Sequence, residues 1–87
     1  MELHQAFDYY ESILPGLGQR FLDSLQNGID RIHQFPHAWA PIRPNIRKCI
    51  LDKFPYSIIY AVEKESITIL ATGHNHREPN YWIDRAE

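Results

Sequence analysis

Apolar residues recur at Leu3, Ala6, Phe7, Tyr10 and Ile13, with Asp8 and Glu11 on the opposite side. This is the i, i+3, i+4, i+7 spacing of a helix face and predicts an amphipathic helix over residues 2–14. Pro15-Gly16-Leu17-Gly18 ends it, because proline disfavours helix at the preceding residue and glycine frees the backbone. A second helix is expected from Leu17 to Gln34. Leu22, Leu25, Ile29 and Ile32 form its apolar stripe, with Phe21 beside them. Gln19, Arg20, Asp23, Gln26, Asp30 and Arg31 form most of its wet face. Gly28 costs about 1 kcal/mol against alanine in a helix interior and is expected to allow close approach to the first helix. Two helices joined this closely make a helical hairpin.

The period then changes from helical to alternating. Pro36, Pro41 and Pro44 remove donors and fix dihedrals, so residues 36–44 are expected to be irregular. Ile46 to Leu51 reads as a strand, with Arg47, Cys49 and Leu51 on one side and Ile46, Lys48 and Ile50 on the other. Phe54 to Val62 is rich in aromatic and β-branched residues, which suit a half-buried pleated surface. Tyr56, Ile58, Tyr60 and Val62 share one face; Ser57, Ile59, Ala61 and Glu63 share the other. Ile67 to Thr72 is the return strand, with Ile67, Ile69 and Ala71 opposite Thr68, Leu70 and Thr72. Glu63-Lys64-Glu65-Ser66 is the turn between them, although it lacks an Asn-Gly pair. Both faces of this hairpin carry apolar residues, so both are expected to be partly covered. Pro79 can open a short C-terminal helix. The pattern gives an α+β class: a helical hairpin packed on a three-stranded antiparallel sheet, followed by a short terminal helix.

Length and composition narrow the class. The 87 residues make one domain, whose net stability is on the order of 5 kcal/mol. No apolar run approaches the length of a membrane span, and no charged-then-apolar leader opens the sequence. The single cysteine, Cys49, cannot form an internal disulfide, which fits a reducing cytoplasm. With no activating base evident, it reads as a small core residue. Net charge is −2, but Arg43, Arg47, Lys48 and Lys53 collect in residues 42–62 against Asp52 alone. Such a strip can meet a phosphate backbone or an acidic protein.

An ordered set of residues carries a resemblance. Ala6-Phe7-Asp8-Tyr9-Tyr10, Pro15-Gly16-Leu17-Gly18 with Phe21, Ile32 to Pro36, Arg47, Phe54-Pro55-Tyr56 with Ile59-Tyr60, and His76-Arg77-Glu78-Pro79 with Tyr81-Trp82 follow one another along the chain. Together they resemble the RelE/ParE superfamily of toxins of bacterial type II toxin–antitoxin systems, especially the ParE-like plasmid stabilisation branch. The resemblance implies growth inhibition by a cytoplasmic toxin that a cognate antitoxin neutralises. For the ParE-like branch it implies inhibition of DNA gyrase through protein contacts. For the RelE-like branch it implies cleavage of messenger RNA on the ribosome. A third reading is a non-toxic homologue that persists as a binding or oligomerising module. Family members normally open with a strand before the first helix, and here Met1 already falls within the helical pattern. An uncovered sheet edge is therefore expected to recruit a second copy or an antitoxin strand.

The candidate site residues follow from the resemblance. RNA cleavage needs a group to activate the ribose 2′-OH, a cation beside the phosphate and an acid for the leaving oxygen. Lys48, Arg77 and Tyr81 line up with a basic position, the late arginine and the terminal tyrosine of the nuclease branch. Two further basic positions of that branch fall on Ile50 and Ser57. Each candidate also has a plain structural reading: a solvated strand residue for Lys48, a salt bridge or helix cap for Arg77, packing beside Trp82 for Tyr81. Arg47, which matches a common arginine of the superfamily, faces a ligand or pairs with Asp8 or Glu11. His76 serves in general acid–base work or hydrogen-bonds at a strand end. Trp39 contacts a partner or plugs the sheet edge. His74 and His76 would share a strand face and could chelate a metal, but no third ligand is evident. No metal or cofactor is expected.

Overall fold

The computed structural model describes residues 3–75. Helix α1 spans Leu3–Ile13 and α2 spans Leu17–Gln34. They are followed by β1 (Pro41–Arg43), β2 (Ile46–Ile50), β3 (Tyr56–Val62) and β4 (Ile67–His74). The sheet is antiparallel in the order β1-β2-β3-β4. The expected C-terminal helix lies outside the described residues.

Gly16 makes the turn between the helices, with φ 92° in the left-handed region that only glycine enters freely. Gly16 offers no side chain to cap α2. Glu11, in the last turn of α1, does so instead, accepting from the Gly16 N–H at 2.9 Å and the Gly18 N–H at 3.1 Å. Its negative charge sits where the α2 dipole is positive. Asp8 faces His4 at 3.5 Å. The centre of the α2 face is Gly18, Phe21, Leu25, Gly28 and Ile32, all buried, with Leu22 and Ile29 on its shoulders.

The glycines set two different approaches. A Cβ on Gly18 would stand 2.8 Å from the Phe7 ring and 2.9 Å from the Phe7 carbonyl oxygen, so Gly18 brings α1 and α2 together. A Cβ on Gly28 would stand 3.0 Å from Leu51 Cδ2 and from Ile58 Cδ1. Gly28 therefore lowers α2 onto the sheet and does not mediate the approach to α1. Phe54-Pro55-Tyr56 is the clamp at this end. Tyr10, Phe21, Phe54 and Tyr56 form a ring cluster with centroid separations from 4.9 to 6.3 Å, the range of favourable edge-to-face contacts.

Among the described residues the sheet has four strands, not three. The extra strand is Pro41–Arg43 from the proline-rich segment, paired with β2. Proline can open an edge strand because it has no inner ladder bond to donate there. β4 runs on to His74, and its pairing with β3 shifts register between Ile59 and Tyr60. Tyr60 pairs with Ile69 and Ile59 with Ala71, which leaves Leu70 as the extra residue of a bulge. Beyond it the faces exchange, so Ala71 lies with Ile59, and Thr72 with Ile58 on the helix side. Away from the helices, Ile46, Ile59, Ala61 and Ala71 form a second buried cluster with Leu70 against it. Both sheet faces are thus covered in part.

Candidate functional site

The loop between α2 and β1 is held from the helix side of the sheet. Tyr60 is fully buried, and its hydroxyl donates to the Pro36 carbonyl at 2.8 Å. Arg47, its neighbour on β2, donates to the carbonyls of His37 and Trp39. Arg47 therefore pairs with neither Asp8 nor Glu11. The Trp39 ring is half-buried edge-on to Tyr60, at 6.5 Å, with the Arg31 guanidinium 5.7 Å above it. Arg31 also donates to Asp52 at 3.2 Å, tying α2 to the β2–β3 connection.

Arg47 and Trp39 thus come together, as two parts of one loop anchor. Lys48 points to the opposite face, paired with Ile59. Ile50 and Ser57 pair beside it on that face. Ser57 is 2% exposed, and its hydroxyl donates to the Asn75 side chain. His76, Arg77 and Tyr81 lie outside the described residues. His74 stands edge-on to Tyr56 at 5.3 Å. Among the described residues no three His, Cys, Asp or Glu side chains are grouped to hold a metal ion. Cys49 is buried, and desolvation pushes its thiol pKa up, against the smaller opposing pull of Arg31. It is a packing residue rather than a nucleophile.

A concavity among the described residues lies elsewhere. A groove of about 660 Å³ runs between α2 and the β2–β3 connection. Its floor is apolar: Tyr10, Leu17, Gly28, Leu51 and Phe54. Arg20, Ser24, Asn27 and Arg31 line one wall, and Asp52 and Lys53 stand on the other. The first four recur at i, i+4, i+7 and i+11, the edge of one helix face. That stripe is present in the sequence, but it reads as ordinary wet surface until the β2–β3 connection is seen to face it.

The helical hairpin, its Gly16 turn and the meander of short strands define the class of small two-layer α+β domains. The chain matches, over residues 2–79, the family described as ParE toxin of type II toxin-antitoxin system, parDE. It is 34% identical over 80 residues to Toxin ParE2 of Mycobacterium tuberculosis (strain CDC 1551 / Oshkosh), covering 91% of this chain and 76% of that relative. Toxin ParE2 of strain ATCC 25618 / H37Rv matches with the same identity and coverage. The chain belongs to the ParE toxin family of type II toxin–antitoxin systems. Membership implies an antitoxin partner. No helix among the described residues is long and apolar enough to cross a membrane.

Proposed function

We propose that this toxin arrests growth through protein contacts, with DNA gyrase as the target, and that it acts in the cytoplasm where that target lies. The observation that favours this reading is the state of the nuclease positions. Lys48, Ile50 and Ser57 do share a sheet face, but Lys48 carries the only charge of the three. Among the described candidate positions, a scissile phosphate there would meet a single ammonium, an exposed isoleucine and a buried hydroxyl already bonded to Asn75. Transition-state charge on the phosphoryl oxygens calls for several converging cations or donors.

Induced expression separates the readings. Growth arrest with filamentation and persistent DNA cleavage is the expected result. Rapid loss of translated messages, abolished by Arg77→Ala, would instead establish the messenger-RNA endonuclease with Lys48, Arg77 and Tyr81 at its site. No arrest at all would leave a non-toxic binding module.

We also propose that β4 pairs with another strand along its outer edge. Ile67–His74 contains no proline, lysine, aspartate or glutamate, and among the described residues no strand lies outside it. The opposite edge is blunted: β1 has three residues, one of them a proline, and Pro44 follows it. Short, proline-bearing edges resist pairing, and uncharged long ones invite it. A second copy of β4 meets no like charge in antiparallel register.

A further inference from the structure

We infer that the groove between α2 and the β2–β3 connection binds a small carboxylate with an unbranched apolar body, of which a free medium-chain acyl anion is the simplest example. This is a ligand site, and it stands apart from the choice of cellular target. The groove's volume of about 660 Å³ lies within the range of about 300–1,000 Å³ usual for small-molecule sites. Leu17, Leu51, Phe54 and Pro55 supply apolar surface, and Ser24 and Asn27 supply neutral hydrogen-bonding groups. An apolar lining with few polar groups is the make-up of such sites.

The rim charges decide the head group. Asp52 is engaged by Arg31 at 3.2 Å, and Asp23 accepts from Gln19 at 3.0 Å. Arg20 and Lys53 stand exposed on opposite walls, and no hydrogen bond or ion pair engages either side chain among the described residues. The groove's uncommitted charge is therefore positive on both sides of an apolar floor. A cationic ligand would have to displace Arg31 or Gln19 to find a counter-charge. A carboxylate can take the Arg20 fork in two parallel bonds or meet the Lys53 ammonium. A phosphate monoester carries about −1.5 to −2 charge, so Asp23 and Asp52 oppose it more strongly than they oppose a carboxylate.

The floor decides the body. Tyr10 and Phe54 are committed edge-to-face to each other at 5.0 Å, and both stand beside Phe21, at 5.2 and 5.3 Å. Their faces are not laid open as platforms for a planar ring or a base. An acyl chain needs no ring face and follows an uneven floor, gaining affinity from each methylene it buries.

The test is titration of the full chain with sodium decanoate, followed by calorimetry and by amide chemical shifts. The expected result is saturable one-to-one binding with Kd below about 1 mM and shifts centred on Arg20, Asn27 and Lys53. From hexanoate to decanoate, affinity should rise at least about threefold for every two methylenes, full burial of one being worth about fourfold. Arg20→Gln with Lys53→Gln removes both uncommitted charges. It should weaken decanoate by about tenfold and leave the uncharged decanol within about twofold. Asn27→Trp fills the groove from an exposed helix position and should weaken both ligands by about tenfold. Lys64→Gln, in the β3–β4 turn, is the control and should leave both within about twofold. All variants should keep the parent melting temperature. Binding that does not saturate, or that is unchanged in both groove variants, overturns the site. Decanol binding the unaltered chain as tightly as decanoate overturns the carboxylate, and adenosine monophosphate binding more tightly than decanoate overturns the ligand class. Capture of phosphatidylglycerol vesicles through Arg20 and Lys53, without binding of monomeric decanoate, assigns the surface to lipid headgroups and overturns the inference.

Discussion

Arg47 and Tyr60 hold one loop from adjacent strands, and that pairing makes a separable prediction. The Tyr60 hydroxyl is the only part of that ring needing a polar partner, and it finds the Pro36 carbonyl. Tyr60→Phe leaves that carbonyl unpaired by the sheet and is expected to cost about 1 kcal/mol in urea denaturation. Arg47 serves two further carbonyls, at His37 and Trp39. Arg47→Ala is expected to cost about 2 kcal/mol, since bonds to a charged donor are the stronger ones. Arg47→Lys should recover less than half, because an ammonium lacks the planar fork. Unchanged stability in Arg47→Ala with loss of growth arrest would instead make Arg47 a target-contacting group. The sequence placed Arg47 on the correct side of its strand. It could not show the partner, because the carbonyls Arg47 meets belong to an irregular loop whose path depends on Trp39 settling beneath Arg31.

At the scale of elements, helix spacing, strand alternation and the position of the turns were legible because each follows from local period. The centre of the α2 face was not. A stripe scored by hydrophobicity passes through Leu22, Leu25, Ile29 and Ile32, while the contact line passes through Gly18, Phe21, Leu25, Gly28 and Ile32. Glycine contributes no apolar side chain to such a score, yet it marks where the helix comes closest to what it packs on, the Phe7 backbone at Gly18 and the Leu51 and Ile58 side chains at Gly28. Gly18→Ala is accordingly expected to destabilise by about 1–3 kcal/mol, since its Cβ meets the Phe7 backbone as well as its ring. Gly28→Ala should cost less. Its Cβ meets only the ends of the Leu51 and Ile58 side chains, and alanine returns about 1 kcal/mol of helix propensity. Thermal melts of the two variants compare them directly, and a larger loss at Gly28 would contradict this division of roles. The fourth strand is not legible in the sequence because three prolines argue against regular structure, and an edge is where a sheet tolerates them. The bulge at Leu70 was equally hidden, since one inserted residue leaves the apolar count of β4 unchanged. The proposed pairing of the β4 edge belongs to this scale too. Ile69→Lys puts like charges across an antiparallel β4–β4 contact and should convert a self-associating protein to single copies at high micromolar concentration. Light scattering that finds only single copies of the unaltered chain would remove self-pairing.

Across the whole molecule, the helix-side core contains four groups that ionise only at alkaline pH. Cys49 has an ordinary value of 9.0, and Tyr10, Tyr56 and Tyr60 have 10.0. Burial pushes all four upward, with Arg47 pulling Tyr60 back in part. A raised value means that the folded chain holds the proton more tightly than the unfolded one. The stability tied to these groups is therefore present in full below their ordinary values, and is lost as pH rises through them toward the folded values. Stability is expected to be level with respect to these groups near neutrality and to fall once pH passes about 9, where the unfolded thiol ionises first. The decline should steepen above about 10, as the unfolded tyrosines follow. General repulsion in an acidic chain at high pH also lowers stability, so the onset and not the slope is diagnostic. Cys49→Ala removes the group with the lowest ordinary value. Its baseline stability drops with the lost sulfur contacts, but the onset of the alkaline decline should move up from about 9 toward 10. Melting temperatures at closely spaced pH values read that onset, and an onset unmoved in Cys49→Ala would trace the decline to charge repulsion instead of to the buried thiol.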